Sequence, residues 1–207
     1  MVAPGGRVFV GDVKHLGLLP VLYARAAQAR GLKDVEESEL ALAPGFFTRW
    51  ADANARDCVV RVAPKRGCLE SELTSLRYDV EITFDATPQT SGTAGRASWT
   101  TLAGLEQLIR DNARLLVTGI TNARVTPEAA NAVSVQDVYD LATRLGVQVD
   151  VSWLSGGVDG RFDAAFAVPG HTLPPFPTPP SPSTAPATEL ANDPTGNQVI
   201  RDLTATL

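Results

Sequence analysis

A run of charged and polar residues, KRGCLESELTSLRYDV, spans positions 65–80. It connects two segments that are predicted to be β-strands and includes the start of the second. It places acidic, basic and phenolic side chains in the connection and at the start of the second strand: Lys65, Arg66, Glu70, Glu72, Arg77, Tyr78 and Asp79. Carboxylates, cations and phenols are groups that bind polar substrates and transfer protons in active sites. The same residues would also suit an exposed hairpin held together by salt bridges. Two interpretations therefore stand, a salt-bridged hairpin and the wall of an active site.

Motifs for other chemistries are absent from the sequence. There is no G-x-G-x-x-G or G-x-x-x-x-G-K-[ST] phosphate loop, and SGTAG (91–95) and GGVDG (156–160) are interpreted as plain loops because neither joins a buried strand to a helix. Two histidines, with His171 in a proline-rich stretch, do not support a Ser–His–Asp triad. Because Cys58 and Cys68 are the only cysteines, we expect neither a disulfide framework nor a metal site.

The elements that would position these side chains alternate between strands and helices. Apolar or alternating runs predict strands at residues 7–11, 57–63 and 76–85, a strand and turn at 115–125, and a hairpin of 147–153 with 161–168. Leucine-rich or amphipathic runs predict helices at 16–30, 44–55 and 99–112, and one that begins at a Ser134–Asp137 capping box. Residues Asp34, Glu36, Glu37 and Glu39 are interpreted as a solvated helix end. The fold class is α/β.

Composition restricts the kinds of partner. The net charge of −5 argues against nucleic acid, since binding to phosphates requires clustered Lys and Arg. No apolar run approaches the roughly 20 residues that span a bilayer, and the start of the chain does not read as a signal peptide. These features predict a cytoplasmic domain with no nucleic-acid or membrane partner.

Prolines mark the main change of character along the chain. Eight of the 15 prolines lie between positions 169 and 186, and proline disfavours helix and sheet interiors. The stretch is interpreted as a semi-rigid linker, with a ligand for an SH3-type domain as the alternative. A second, milder break is the small, polar segment 89–98, which is predicted to be a loop.

Five collinear segments carry a family resemblance. PGGRVFVGDV (4–13) and KRGCLESELTSLRYDV (65–80) resemble segments of the S-adenosylmethionine-dependent methyltransferase domains embedded in non-ribosomal peptide synthetases. VTGITNARV (117–125), VSWLSGGVDGRFDAAFA (151–167) and LANDP (190–194) extend the resemblance over nearly the whole chain. Ser71 stands where this family usually has asparagine, and Leu76 where it usually has phenylalanine.

The resemblance implies a fold and a division of the chain. We expect a partial class I (Rossmann-like) methyltransferase sheet, its C-terminal half, in residues 1–90, and an extra α+β subdomain that ends in a hairpin in residues 91–168. A proline-rich linker at 169–187 would lead to the start of a resumed adenylation-domain segment at 188–207. In the family's fold a glycine-rich turn after the first strand holds the cofactor. Since residues 2–11 resemble a late strand, the cofactor-binding half is expected to be missing, and residues 15–46 look shorter than in the family.

The resemblance also implies roles for particular residues. Glu72 would be the base that accepts a proton from the acceptor amine, Tyr78 would orient that amine, and Asp12 is the third catalytic candidate. Lys14, Arg77, Asn122 and Arg124 would bind the acceptor substrate. The alternatives are an ion pair of Glu72 with Arg77 or Lys65, and Asp12 as the cap of the helix near Leu16. Asn122 and Arg124 would then be an ordinary turn asparagine and surface arginine, and Trp99 and Trp153 core residues.

The reaction implied by the resemblance is methyl transfer from S-adenosylmethionine to the α-amine of an aminoacyl group on a peptidyl carrier domain. The expected partners are upstream methyltransferase and adenylation segments and that carrier domain, and cofactor binding by this chain alone is not expected. A different class of function is a non-catalytic remnant that binds another protein through an exposed sheet edge, for which self-association is expected. A complete small enzyme is the third hypothesis.

Overall fold

The computed structural model of the protein describes residues 5–30, 38–54, 57–86, 93–177 and 187–195. The strands in this part of the chain are β1 (Arg7–His15), β2 (Ala41–Leu42), β3 (Cys58–Pro64), β4 (Arg77–Phe84), β5 (Gly95–Ser98), β6 (Arg114–Ile120), β7 (Gln148–Ser152) and β8 (Phe162–Ala167). The helices are α1 (Leu19–Arg30), preceded by a 3-10 turn at Leu16–Leu18, α2 (Gly45–Ala53), α3 (Glu72–Leu76), α4 (Leu102–Asp111), α5 (Val135–Leu145) and α6 (Ala187–Leu190). The predicted α/β class is confirmed.

The first sheet has the strand order β2-β1-β4-β3. β4 is antiparallel to both β1 and β3. β1 and β2 run parallel over two residue pairs, Lys14 with Ala41 and His15 with Leu42. β2 was not predicted, because a strand of two residues has no periodicity to detect. With a single short parallel contact the sheet is mixed, so the Rossmann-like methyltransferase sheet stays a prediction.

β4 confirms the predicted alternation, since its buried side chains Tyr78, Val80, Ile82 and Phe84 face the core. β1 continues to His15, beyond its predicted end at Gly11. A β-bulge shifts its register against β4 between Val10 and Val13, and Asp12 within it adopts a left-handed backbone conformation with φ 64°. The bulge lets the strand resume pairing and carry Lys14 and His15 to the sheet end.

The second sheet has the order β5-β6-β8-β7, with β5 and β6 parallel and the other pairs antiparallel. All six residues of β8 are buried, and the predicted β7–β8 hairpin is confirmed. The segment predicted as a loop at 89–98 contains the strand β5, while residues 89–92 lie outside the described residues. β5 consists of small or polar residues, so backbone pairing with β6 forms it where side-chain pattern gives no signal.

Local capping signals place the helices. Ser134 and Asp137 form the predicted capping box at the start of α5, and Gly146 with φ 67° ends that helix. α3 lies inside the segment predicted as a hairpin connection, and its own capping box joins Ser71 and Thr74. A helix of five residues is too short for helical periodicity to show in the sequence.

The two sheets meet at β3 and β7. The backbone N–H of Trp153 donates to the Val62 carbonyl at 2.9 Å, and Arg61 forms an ion pair with Asp150 beside this contact. One apolar cluster continues through both sheets, with Trp153 fully buried as predicted and Trp99 partly buried against the cluster. The domain boundaries proposed from the sequence stay predictions. None of the helices in the described residues is long and apolar enough to cross a bilayer.

Candidate functional site

Seven ionisable side chains converge where β1, β3 and β4 approach α3. We call this set the charged cluster, and it consists of Asp12, Lys14, Glu39, Lys65, Glu72, Arg77 and Asp79. Four of the predicted site residues, Asp12, Lys14, Glu72 and Arg77, belong to it. The structure therefore brings together residues from positions 12 to 79 that the sequence places in separate segments.

Arg77 and Lys14 bridge the cluster. Nη2 of Arg77 lies 2.7 Å from Oε2 of Glu39 and 3.2 Å from Oε1 of Glu72, and Nη1 lies 3.5 Å from Oδ2 of Asp12. Nζ of Lys14 contacts the same two glutamates, at 3.2 Å for Glu72 and 3.5 Å for Glu39. Both cations are thus shared between the two glutamates.

A second group within the cluster surrounds Asp79. Nζ of Lys65 lies 2.6 Å from Oδ1 of Asp79 and 3.4 Å from Oδ1 of Asp12. The backbone N–H of Asp12 donates to the same Asp79 oxygen at 2.9 Å, so Asp79 holds the β1 bulge in place. The side chain of Asp12 contacts Lys65 and Arg77, whereas the 3-10 turn before α1 has His15 in its N-cap position and no side-chain cap. The alternative of Asp12 as a helix cap is therefore not what the structure shows.

The cluster is layered by charge. The side chain of Lys14 is only 6% exposed, while that of Glu39 is 53% exposed, and Asp12 and Glu72 are similarly open. The buried Lys14 and the partly buried Arg77 thus lie beneath the more open carboxylates of Asp12, Glu39 and Glu72. Such a surface accepts hydrogen bonds from a cationic or amine-bearing ligand.

Glu72 makes the predicted ion pair with Arg77 and a second one with Lys14. Partial burial on its own raises the pKa of the Glu72 carboxyl, but hydrogen bonds and charge attraction from Lys14 and Arg77 outweigh burial and bring that pKa below its usual range. A carboxylate with a lowered pKa is a weak proton acceptor near neutral pH. The environment of Glu72 therefore favours binding and orientation over proton abstraction.

Tyr78 lies in the core beneath the cluster. Its side chain is fully buried, its hydroxyl donates to the Leu42 carbonyl at 2.9 Å, and burial raises the pKa of the phenol. In this conformation the hydroxyl of Tyr78 is hydrogen-bonded to β2 and does not reach the surface of the cluster. The predicted role of Tyr78 in orienting an amine stays a prediction without geometric support.

Asn122 and Arg124 lie outside the cluster. Asn122 accepts the Arg124 backbone N–H at 3.0 Å within its own turn, in agreement with the turn-asparagine alternative. Arg124 is only 3% exposed, so it is not a surface arginine, and its guanidinium donates to the carbonyls of Lys65, Gly67 and Thr74. Arg124 thereby holds the connection that carries Lys65 and α3, which places it behind the site rather than in it.

Glu39, which belongs to the charged cluster, and His15, which follows Lys14 in β1, were not predicted as site residues. Glu39 was interpreted as part of a solvated helix end, whereas it precedes β2 and reaches Arg77; Asp34, Glu36 and Glu37 lie outside the described residues. His15 is buried, with its ring edge-to-face against Tyr78 and Trp153, and neither ring nitrogen has a hydrogen-bond partner on another residue of the described chain. Val13, Lys14 and His15 are all buried at the end of β1, so alternation along the strand gives no signal for the burial of this histidine. Among the described residues no group of His, Cys, Asp and Glu is placed to hold a metal ion.

Comparison with known proteins connects the chain to peptide synthetases. No family model matches the sequence. The chondramide synthase cmdD of Chondromyces crocatus is 26% identical over 82% of this chain, and a probable non-canonical nonribosomal peptide synthetase, CymA, of Salinispora arenicola (strain CNS-205) is 40% identical over 42% of it. The chain spans about 6% and 1% of the lengths of these two relatives. The chain is therefore related to segments of nonribosomal peptide synthetases, which carry many neighbouring segments on one polypeptide.

Proposed function

We propose that the chain is part of an S-adenosylmethionine-dependent methyltransferase of a nonribosomal peptide synthetase, and that it contributes the wall that receives the acceptor amine. The observation that carries this proposal is the charged cluster, in which Asp12, Lys14, Glu72 and Arg77 lie together at one sheet end. The relatedness to synthetase segments supports the same assignment. The acceptor in this proposal is the α-amine of an aminoacyl group on a carrier domain.

The roles follow from the layering of the cluster. The outward carboxylates of Asp12 and Glu72 accept hydrogen bonds from the acceptor ammonium or amine, and Lys14 and Arg77 below them hold both carboxylates in position. An acceptor in its ammonium form must lose one proton before its nitrogen has the lone pair that attacks a methyl group. Because the pKa of Glu72 is lowered, we assign that proton to water at the exposed face of the cluster rather than to Glu72.

The described residues do not fit the nucleoside of the methyl donor. Such a site requires a glycine-rich turn from a strand into a helix. The described strand-to-helix connections are 16–18, 43–44, 65–71, 99–101 and 121–134, and none of them holds more than one glycine. No step is therefore assigned to the cofactor, and the proposal concerns the acceptor side alone.

The test of this function is labelled methyl transfer. The chain is mixed with an aminoacyl-loaded carrier domain and methyl-labelled S-adenosylmethionine, both alone and with the separately produced segment that precedes the matching region in the cmdD relative. We expect label on the amine in the second mixture, and at least a tenfold loss of the rate in Lys14→Met, because the substitution removes one of the two cations that hold Glu72.

The Lys14→Met control separates function from folding. After Lys14→Met the carboxylates of Glu39 and Glu72 remain about half exposed and still contact Arg77, so no charge is left buried without a partner, and the free energy of unfolding should stay within about 1 kcal/mol of the parent value. Arg7 lies at the other end of β1 from Lys14. Arg7→Gln removes an exposed ion pair with Glu81 of β4 and should keep the full rate. The absence of label from both mixtures, or a full rate in Lys14→Met, would reject the proposal.

A second function, docking of another protein, is favoured by the open side of β1. Strand pairing with β2 begins at Lys14, so within the described chain the outer edge of β1 before that residue is not paired, and Phe9 on this stretch is 68% exposed. Unpaired strand edges with exposed apolar side chains recruit further strands.

We therefore expect the protein to self-associate with increasing concentration through β1. In analytical ultracentrifugation, Phe9→Lys should shift the distribution towards monomer, since a lysine on an edge strand opposes pairing. Leu69→Lys is the matched control, because Leu69 is 81% exposed but lies in the connection after β3. A single monomer at all concentrations, or an equal effect of the two substitutions, would contradict docking at this edge.

A further inference from the structure

The segment that follows the proline-rich stretch returns to the first sheet. Leu190, at the end of α6, is buried, and its carbonyl accepts the backbone N–H of Ala43 at 2.9 Å. Ala191 forms an isolated antiparallel bridge with Leu42 of β2. The segment 190–192 thus pairs with the edge of β2 that faces away from β1, and it extends the first sheet by one short antiparallel segment.

Asn192 makes the most specific contacts of this segment. Its side-chain Oδ1 accepts the Ala41 backbone N–H at 2.7 Å, its Nδ2 donates to the Glu39 carbonyl at 2.9 Å, and its own backbone N–H donates to the Ala41 carbonyl at 3.2 Å. The side-chain amide of Asn192 therefore binds the backbone at both Glu39 and Ala41, where the chain enters β2. The amide of asparagine suits this pattern, because it places an acceptor oxygen and a donor nitrogen on separate atoms of one side chain.

Glu39 is the link from this segment to the charged cluster. Its carboxylate lies 2.7 Å from Nη2 of Arg77 and 3.5 Å from Nζ of Lys14. The same two cations hold Glu72, so the position of Glu39 determines how their charge is divided between the two glutamates. The backbone that carries Glu39 is held on one side by Lys14 pairing with Ala41, and on the other by Asn192.

We propose that Asn192 is a positioning residue that keeps Glu39 on Arg77 and Lys14, so that the segment after the proline-rich stretch completes the charged cluster. The proposal rests on the charged cluster as the acceptor wall described above, but it does not require methyl transfer to occur. If residues 190–192 are displaced, Glu39 should lose its contacts with Arg77 and Lys14, and these two cations should then pair with Glu72 without competition from Glu39.

The first measurement is amide hydrogen exchange in the full chain. Asn192→Ala removes the acceptor for the Ala41 amide and the donor to Glu39, so we expect exchange at Ala41 to accelerate at least about tenfold, while amides in the centre of β4 keep their rates. Asn131→Ala is the matched control, because it removes an exposed amide contact to the Thr100 carbonyl in the other sheet region. It should leave Ala41 unchanged.

The second measurement follows the Glu72 carboxyl by carbon NMR during a pH titration. Glu39→Gln removes a negative charge that shares the cations of Glu72, so the pKa of Glu72 should fall. Asn192→Ala should lower it in the same direction, and adding Asn192→Ala to Glu39→Gln should lower it no further.

Each outcome decides the proposal. Faster exchange at Ala41 together with a lowered and non-additive Glu72 pKa supports it. Unchanged exchange at Ala41 would overturn the docking of Asn192, and a Glu72 pKa that responds to Glu39→Gln but not to Asn192→Ala would overturn the link to the cluster. Neither readout involves S-adenosylmethionine or a carrier domain, so failure here is distinguishable from failure of the proposed function.

Discussion

Replacing Arg124 with alanine should destabilise the protein by roughly 3 kcal/mol, because the substitution leaves three carbonyl groups without their donor. These carbonyls belong to Lys65, Gly67 and Thr74, so a single guanidinium joins both ends of the connection between β3 and β4. Among the described residues no carboxylate forms an ion pair with Arg124, and burial lowers the pKa of its guanidinium. The stabilisation thus comes from the fork of donors rather than from charge pairing.

Urea-induced unfolding measures this effect, and two further variants test its cause. Arg124→Lys keeps the charge but offers one ammonium in place of the planar fork, so it should recover only a minor part of the loss. Arg110→Ala removes an exposed pair with Glu106 and should leave the free energy of unfolding nearly unchanged. If Arg124→Lys matched the parent protein, or if Arg124→Ala cost under about 1 kcal/mol, the donors of Arg124 would not be what holds this connection.

Arg124 also shows what the sequence can and cannot reveal. The segment TNARV resembles its family counterpart, and the resemblance implies a substrate-binding role for this arginine. The structure places it behind the Lys65 connection, because a turn at Asn122 directs it inward. Side-chain direction at a turn depends on tertiary contacts that no local pattern encodes.

The charged cluster was predictable in part for a physical reason. Asp12 and Lys14 follow the strand predicted at 7–11, and Glu72 and Arg77 lie at the start of the strand predicted at 76–85, so antiparallel pairing of these two strands brings the four residues close. Glu39 could not be placed in this way, since its position depends on two residue pairs between β1 and β2 and on contacts with Asn192. Very short pairings of distant segments leave no periodic trace in a sequence.

The same distinction separates elements that were predicted from those that were not. β4 and α5 were predicted because amphipathic spacing and a capping box lie within one segment. β5 was not, since GRAS has no apolar pattern and depends on β6 for its hydrogen bonds. Strong local signals therefore predicted the framework, and the contacts that complete the site came from the fold.

His15 should make the stability of the protein fall steeply in mild acid. The imidazole is 2% exposed, and burial lowers the pKa of His15 from 6.5 to about 4. In the unfolded chain the imidazole binds a proton near its ordinary pKa, so between these two values the unfolded state holds more protons than the folded state. The folded protein is thus undisturbed above about pH 7 and loses stability as the pH falls towards 4.

The size of the loss follows from the width of that interval. At about 1.4 kcal/mol for each pH unit, burial of the neutral ring costs about 3 kcal/mol of stability by pH 4. Glu72 acts in the same direction at lower pH, because its pKa is lowered and its ion pairs with Lys14 and Arg77 are lost on protonation. A comparison between variants is therefore needed to isolate the histidine.

The comparison is between the parent protein and His15→Leu, each unfolded by urea at a series of pH values from 7 to 4. Leucine fills the space beside Tyr78 and Trp153 without a titrating group, so the carboxylate contributions are common to both proteins and cancel in the difference. We expect the stability of His15→Leu relative to the parent to rise by about 3 kcal/mol across this range, with nearly all of the change below pH 6.5. A constant difference from pH 7 to 4 would mean that the buried imidazole gains a proton without cost, and that the packing around His15 opens in acid before the rest of the fold.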